Sequence, residues 1–393
     1  AGCSFNNISI SKTGGANAAL SALSTQPLNV NGNFRVESGS LFKSYSNNQL
    51  IINTNILVYG TMQCEAGTVK LDGSAQSLMP NVNDYFNHLV FSQTGTASIN
   101  TTYTSILNVK GDLHIDSGVF DAGSCTINVG GHWDNNVGSA AFAEGESRVV
   151  FNGGNYHQYI WNDETFKILE VNKPLGGAIR MDNGGIGKTV ICNVYDWSAG
   201  AIDVRSGGTF TANDLADDAI AGSYYCSPNS TINLTNIGGN IDLRGNLTIS
   251  GGVFNVYGGI NQSWWPYLGN ASITMSGGLL NFADQGILIR TDGTYTFTSN
   301  ITGGTIKTSG NFTNGRSDFN PAAGTVELYG SVNSNLTMNA GSLYNLAINK
   351  ATANTATLAT NITLNGNLTI QSGTFLANNK ILFTNDNISV NNG

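Results

Sequence analysis

Ile362-Thr-Leu-Asn-Gly366-Asn-Leu-Thr-Ile370-Gln-Ser-Gly373, with an aromatic ring following at Phe375, is the stretch whose reading decides the fold. Apolar and polar residues alternate on either side of Gly-Asn, which is the signature of short strands with one buried face. The same pattern returns as Leu28-Asn-Val-Asn-Gly32-Asn-Phe-Arg-Val36-Glu-Ser-Gly39 with Phe42, Leu107-Asn-Val-Lys-Gly111-Asp-Leu-His-Ile115-Asp-Ser-Gly118 with Phe120, and Ile241-Asp-Leu-Arg-Gly245-Asn-Leu-Thr-Ile249-Ser-Gly-Gly252 with Phe254. Gly-Asn and Ser-Gly read as turns, where positive φ is cheap for Gly and tolerated by Asn. In this frame His114 points outward.

A longer unit surrounds these strands. Val69-Lys-Leu71-Asp-Gly73, Val149-Val-Phe151-Asn-Gly153 and Val326-Glu-Leu328-Tyr-Gly330 each lead to apolar residues at fixed offsets: Phe86, Leu89 and Phe91; Phe166, Leu169 and Val171; Leu343, Leu346 and Ile348. Two copies share an upstream segment, Gly131-His-Trp133-Asp-Asn135 and Gly310-Asn-Phe312-Thr-Asn314. Ser250-Gly-Gly252, Ser276-Gly-Gly278 and Thr302-Gly-Gly304 recur every 26 residues. Repetition on that scale indicates a stacked architecture, and nothing resembles a propeller-blade signature. The expected fold is all-β: a single elongated parallel β-helix, or β-solenoid, of about 15 coils. Residues 1–27 read as an N-terminal cap or lead-in, and 28–393 as solenoid repeats expected to continue beyond the segment. The nearest candidate helix is short, around Ala16 to Leu23.

Composition agrees. The 393 residues include 49 glycines and 6 prolines, 11% are charged and 40% are hydrophobic. That is enough apolar mass for a core and too little Lys, Glu and Leu periodicity for amphipathic helices. A net charge of −8 without a basic run argues against nucleic acid as a partner. No apolar stretch approaches the roughly 20 residues that span a bilayer. The chain opens at Ala1, so it reads as a mature or trimmed segment. Cys3, Cys64, Cys125, Cys192 and Cys226 are scattered without a CxxC pair, which argues against zinc. They read as small buried residues, and their odd number leaves at least one thiol unpaired.

The runs Gly310–Asn314, Gly324–Gly330, Leu343–Lys350 and Ile362–Phe375, and the related run from Gly131-His-Trp-Asp-Asn135 to Lys173, resemble repeats of very large Bacteroidota-type cell-surface proteins. The likeness covers about residues 48 to 215 and 300 to 387. It implies an extracellular or cell-surface location, export by the type IX secretion system, and a role as a gliding-motility or attachment adhesin. Its implied partners are surface glycans, other cell-surface proteins and the secretion machinery. It brings no catalytic residues, cofactors or metal ligands.

Several constellations invite chemistry. Asn183-Gly-Gly-Ile-Gly187-Lys188-Thr189 looks like a variant phosphate loop, but the residues after it read as a strand, whereas such a loop must open a helix. It reads as a glycine-rich turn. His132 beside Trp133 aligns with Asn311 and Phe312, so the expectation is an outward polar residue and a packing aromatic; His88 and His157 stand alone in sequence. Asp214, Asp217 and Asp218, and separately Asp163 and Glu164, are the acids a carbohydrate-active β-helix enzyme would draw on. No Arg or Lys set accompanies them. Trp264, Trp265 and Tyr267 around Pro266, and the second group Tyr156, Tyr159 and Trp161, are candidate platforms for glycans or partner proteins, because exposed rings serve sugars and protein contacts alike. Asn-x-Thr triplets at Asn233, Asn246, Asn311 and Asn367 arise from the strand repeat itself and say little about glycosylation. The reading is a non-catalytic surface adhesin or structural stalk, with a β-helix lyase or glycoside hydrolase as the alternative.

Overall fold

The structure is a computed structural model that describes every residue except 1–2, 13–16, 21–25, 46–48, 237–240, 259–261, 267–268, 284–285, 292–293 and 392–393. The chain divides into two units, residues 1–184 with 188–200, and residues 185–187 with 201–393. Both are parallel β-solenoids, and the chain makes about 16 turns. Among the described residues there is no α-helix; the only helical elements are the 3-10 turns Ser139–Ala141 and Pro174–Gly176.

In the first unit, Leu107, Ile127, Val149 and Leu169 stack in parallel register, so successive coils take 20, 22 and 20 residues. In the second unit, Val253, Leu279 and Thr305 are spaced by 26, and Thr305, Thr325 and Asn345 by 20. The 26-residue spacing is therefore one coil length among several; it also separates Ile8 from Phe34 and Leu169 from Tyr195. Most strand pairs keep register, with shifts at Phe91/Ser92, Val171/Asn172, Ile249/Ser250 and Ile348/Asn349, while the connections at the corners vary in length. The strand Asn17–Leu20 pairs with Leu41–Ser44, so this part of the expected helix is a strand, and the rest of that segment lies outside the described residues. Pairing reaches upstream of residue 28: Cys3–Phe5 lies beside Leu28–Val30, and Ile8–Ile10 beside Phe34–Val36.

The alternating pattern does what strand geometry demands. Leu107, Val109, Leu113, Ile115 and Phe120 are all buried, while the polar residues between them face out. In the first unit the aromatic column Phe91, Phe120, Phe142 and Phe166 runs up the core with centroid separations of 4.0, 5.6 and 5.9 Å. Trp133 packs beside it, 4.8 Å from Phe142 and 5.3 Å from Phe166. Four of the five cysteines are buried and Cys3 is exposed.

The two kinds of glycine in the repeat prove to have different reasons. Gly39, Gly118 and Gly373, in the Ser-Gly corners, have φ of 74°, 73° and 79°, as a turn glycine should. The glycine of Gly-Asn/Asp does not. At Gly32, Gly111, Gly245 and Gly366 a Cβ would lie 2.1 to 2.6 Å from an oxygen of the preceding coil. Close stacking of coils, rather than positive φ, excludes a side chain there.

Candidate functional site

The residue after that glycine carries a second function of the corner. At Asn33, Asp112 and Asn367, and at the equivalent corner position of coils that lack that glycine, the side-chain acceptor takes the main-chain N–H of the next coil. Asn246 instead takes the Ser272 hydroxyl. Asn7 Oδ1 accepts from Asn33 N, Asn33 Oδ1 from Asn55 N, and Asn55 Oδ1 from Ser77 N, at 2.8 to 3.2 Å. In the second unit Asn311 Oδ1 accepts from Asn335 N, Asn345 Oδ1 from Asn367 N, and Asn367 Oδ1 from Asn387 N. Each bond satisfies a donor at a corner where the strand ladder has lapsed.

Over residues 88–182 of the first unit the same job is done by chemically richer side chains. His88 Nδ1 accepts from Asp112 N at 3.0 Å, Asp112 Oδ1 from His132 N at 2.7 Å, and His132 Nδ1 from Tyr159 N at 3.0 Å. A ring nitrogen that accepts a main-chain N–H carries no proton, so the proton of each neutral imidazole sits on Nε2. The column continues through Tyr159, which is in register with Arg180. The His132 ring lies 5.1 Å from Tyr159 and 4.8 Å from Trp161, and the Arg180 guanidinium lies 5.7 Å from the Tyr159 ring. Arg180 Nη2 contacts His157 Nε2 at 3.0 Å, and Tyr156 lies 4.5 Å from the His157 ring.

A parallel column stands beside the first. His114 is in register with Asp134, and the two share a 3.2 Å bond from Nδ1 to Oδ2. Asn162 and Asn136 donate to the same Asp134 carboxylate at 2.8 and 3.1 Å, and His114 lies 6.3 Å from Trp161. Electrostatics divide the histidines. The bond to Asp134 raises the pKa of His114, whereas burial lowers that of His132. Burial opposes ionisation of Asp112, but the His132 N–H and the neighbouring His88 and His132 rings outweigh it and hold the carboxyl below its ordinary range. All four histidines of the chain thus lie within this region.

Of the sequence-derived candidates, Tyr156, Tyr159 and Trp161 belong to this face; Tyr156 is exposed and the other two are half-buried. Trp265 does not fit its expectation. It is fully enclosed, 5.2 Å from Phe282 and 6.4 Å from Phe297, so its ring is part of the core and offers nothing to a ligand. The strand Gln262–Trp265 pairs with Gly286–Ile289, which sets alternate residues inward. Tyr267 lies outside the described residues, as does the side chain of Trp264.

Asp163 and Glu164 do not act together. Asp163 is exposed and accepts from Thr189 N, whereas Glu164 is buried and accepts from Trp133 Nε1 and Asn135 Nδ2 at 2.8 and 2.9 Å. Burial pushes the Glu164 carboxyl up to about 7 despite those bonds. In the second unit Asp217 is salt-bridged to Arg244 at 2.6 Å, and Asp214 accepts from the N–H of Leu215. The glycine-rich run ending at Thr189 is followed by the strand Thr189–Ala199, the wrong element for a phosphate cradle. Among the described residues, no group of three His, Cys, Asp or Glu side chains is placed to hold a metal.

Sequence reasoning did not assemble Arg180, His114, Asp134 and Asn162 with the three aromatics, because about one coil separates each from the next. The available signal was the repeat alignment of His132 with Asn311, positions that both cap the following coil. No family model, curated protein or solved structure matches the chain.

Proposed function

We propose that this chain is a non-catalytic extracellular β-solenoid of the cell surface, an adhesin or structural stalk segment, exported by a type IX route. Its first unit presents the His88–Arg180 face to surface glycans or to other surface proteins. The observation that carries this reading is the concentration of His, Tyr, Trp, Asp and Arg on consecutive outward rungs, with His88, Asp112 and His132 at the capping position held elsewhere by asparagine. Rings flanked by hydrogen-bonding groups are how proteins hold sugars and protein loops without chemistry. The repeat resemblance supplies the export route and the adhesive role. No helix of the described residues is long and apolar enough to cross a membrane.

The test is a printed glycan array and an attachment assay, comparing the native chain with the double variant Tyr159→Ala and Trp161→Ala. Loss of at least tenfold in apparent affinity is expected; identical retention of both proteins contradicts the reading. Protease shaving of whole cells that express the gene tests the location, and removal of the type IX translocon tests the route.

A carbohydrate-active enzyme is the second reading, and the His114–Asp134 pair beside Trp161 is what favours it. Against it, the carboxylates of this face are already committed: Asp112 to a main-chain N–H, and Asp134 to His114 and two amides. A general acid or base needs a carboxyl within reach of the reacting bond. New reducing ends or unsaturated sugars after incubation with acidic and neutral polysaccharides, abolished by Asp134→Asn, would establish the enzyme reading.

A further inference from the structure

A groove elsewhere on the first unit has a different chemical character. It holds about 400 Å3, within the roughly 300 to 1,000 Å3 typical of small-ligand sites. Asn83, Tyr85, Asn108, Lys110, Asn128 and Asn152 line it. One wall is a built turn. Asp84 accepts from Met62 N and Asn81 N, both at 2.7 Å, while Asn81 Nδ2 donates to the Gly60 carbonyl at 2.8 Å, so the loop carrying Asn83 and Tyr85 is clamped to the coil beneath. The floor is a rung of amides: Asn128 donates to Asn108 Oδ1 at 2.8 Å, and Asn108 donates to the Asp84 carbonyl at 3.0 Å. That arrangement aligns the amides, with exposed Asn83 and Asn152 at the rims.

The cation of the groove is already paired. Lys110 Nζ sits 3.4 Å from the Tyr85 ring centroid and 3.4 Å from Glu65 Oε2, and the Tyr85 hydroxyl donates to Glu65 Oε1. A carboxylate ligand would compete with Glu65 for that ammonium. Aligned amides match the paired donor and acceptor character of vicinal hydroxyls, and the tyrosine supplies a ring edge or face for C–H contact.

We propose that this groove is a binding site for a short neutral oligosaccharide of hexose units, separate from the His88–Arg180 face. Vicinal hydroxyls bond the amides of Asn128 and Asn152 while a sugar ring packs against Tyr85. The proposal stands whether or not the other face binds glycans.

Saturation-transfer-difference NMR tests it, using neutral hexose oligomers of two to four units and hexuronate oligomers of equal length with the whole chain. Saturation transfer to the neutral oligomers is expected, falling at least fivefold in Asn152→Trp, which fills the rim from an exposed position, and in Tyr85→Ala with an unchanged circular dichroism spectrum. Trp161→Ala is expected to leave the signal intact. No transfer to any neutral oligomer at millimolar concentration, transfer undiminished in Asn152→Trp, or a preference for hexuronates would overturn the proposal. Loss in Trp161→Ala alone would assign the binding to the other face and overturn it as well.

Discussion

The corner ladder over residues 88–159 and the one over residues 311–387 make the same bond with different side chains. In the second unit Asn311, Asn345 and Asn367 receive the next coil's N–H on a neutral amide oxygen. In the first, His88, Asp112 and His132 receive it on an imidazole nitrogen or a carboxylate. Because asparagine suffices for the architecture, the histidines and aspartate are not required by folding alone. They add titration and hydrogen-bonding capacity on a surface already furnished with Tyr156, Tyr159, Trp161 and Arg180. One region keeps the scaffold minimal; the other varies it where a ligand can reach.

Their interiors differ in the same sense. Trp133 and Phe312 occupy equivalent repeat positions and are both fully buried, but only Trp133 also donates to a buried carboxyl, Glu164. Trp133→Ala is expected to cost about 4 to 5 kcal/mol, and Phe312→Ala about 3 to 4, since the first also strands a buried acceptor. Urea denaturation of each unit's variants measures this, and equal costs would remove the distinction.

The buried charges sharpen the comparison through pH. Glu164 moves from 4.5 to about 7 on folding, through burial. Folding therefore takes up a proton between those values, so this contribution is full below about pH 4.5 and is lost as pH rises through 7. The linked change is on the order of 3 kcal/mol. Comparing native and Glu164→Gln chains at pH 5 and pH 8, the stability advantage of glutamate should shrink by that order; a constant difference would contradict a protonated buried carboxyl. Lys173 and Lys350, fully buried at equivalent repeat positions, donate to carbonyls at 2.7 to 2.9 Å, and burial lowers both to about 8. Their contribution has the opposite slope: stability rises as pH climbs from about 8 towards 10.5. Each unit carries one such lysine, so that alkaline slope should appear in both, whereas the Glu164 slope belongs to the first.

The smallest effect tests the ladder itself. His132→Asn restores the amide found at Asn311 and should change stability by less than about 0.5 kcal/mol at pH 8, while His132→Leu should cost about 1 kcal/mol by orphaning the Tyr159 N–H. Hydrogen exchange at Tyr159 reads the bond directly. Equal protection in both variants would mean the side chain at this corner does not hold the next coil.

Much of the fold was legible because strand alternation and turn glycines are local signals. The four Gly-Asn/Asp copies predicted the inward and outward faces of Leu107 to Phe120. The reason for their first glycine was not legible, because the obstruction at Gly111 is an oxygen of the preceding coil, 24 residues away at Asn87. The variation in coil length was not legible for the same kind of reason: the Ser-Gly-Gly spacing of 26 stands out in sequence, but other coils take 20 to 24 residues. At the candidate site, Tyr156, Tyr159 and Trp161 were visible as a cluster within six residues, but their neighbours His114, Asp134 and Arg180 come from separate coils. Trp265 misled because tandem tryptophan beside proline suggests exposure, while alternate strand positions assign one ring inward. The triplet asparagines repeat that lesson: Asn233 donates to Thr211 Oγ1, and Asn311 and Asn367 each accept the next coil's N–H.

The most direct test of the account pairs one variant from each unit in a surface-binding measurement. Tyr159→Ala is compared with Tyr329→Ala, which removes a half-buried tyrosine packed against Lys307 on an outward rung of the second unit. Binding of the purified chains to the glycan or cell surface retained by the native protein should fall at least tenfold for Tyr159→Ala and less than twofold for Tyr329→Ala. Equal losses, or none in the first, would contradict recognition of that surface by the His88–Arg180 face.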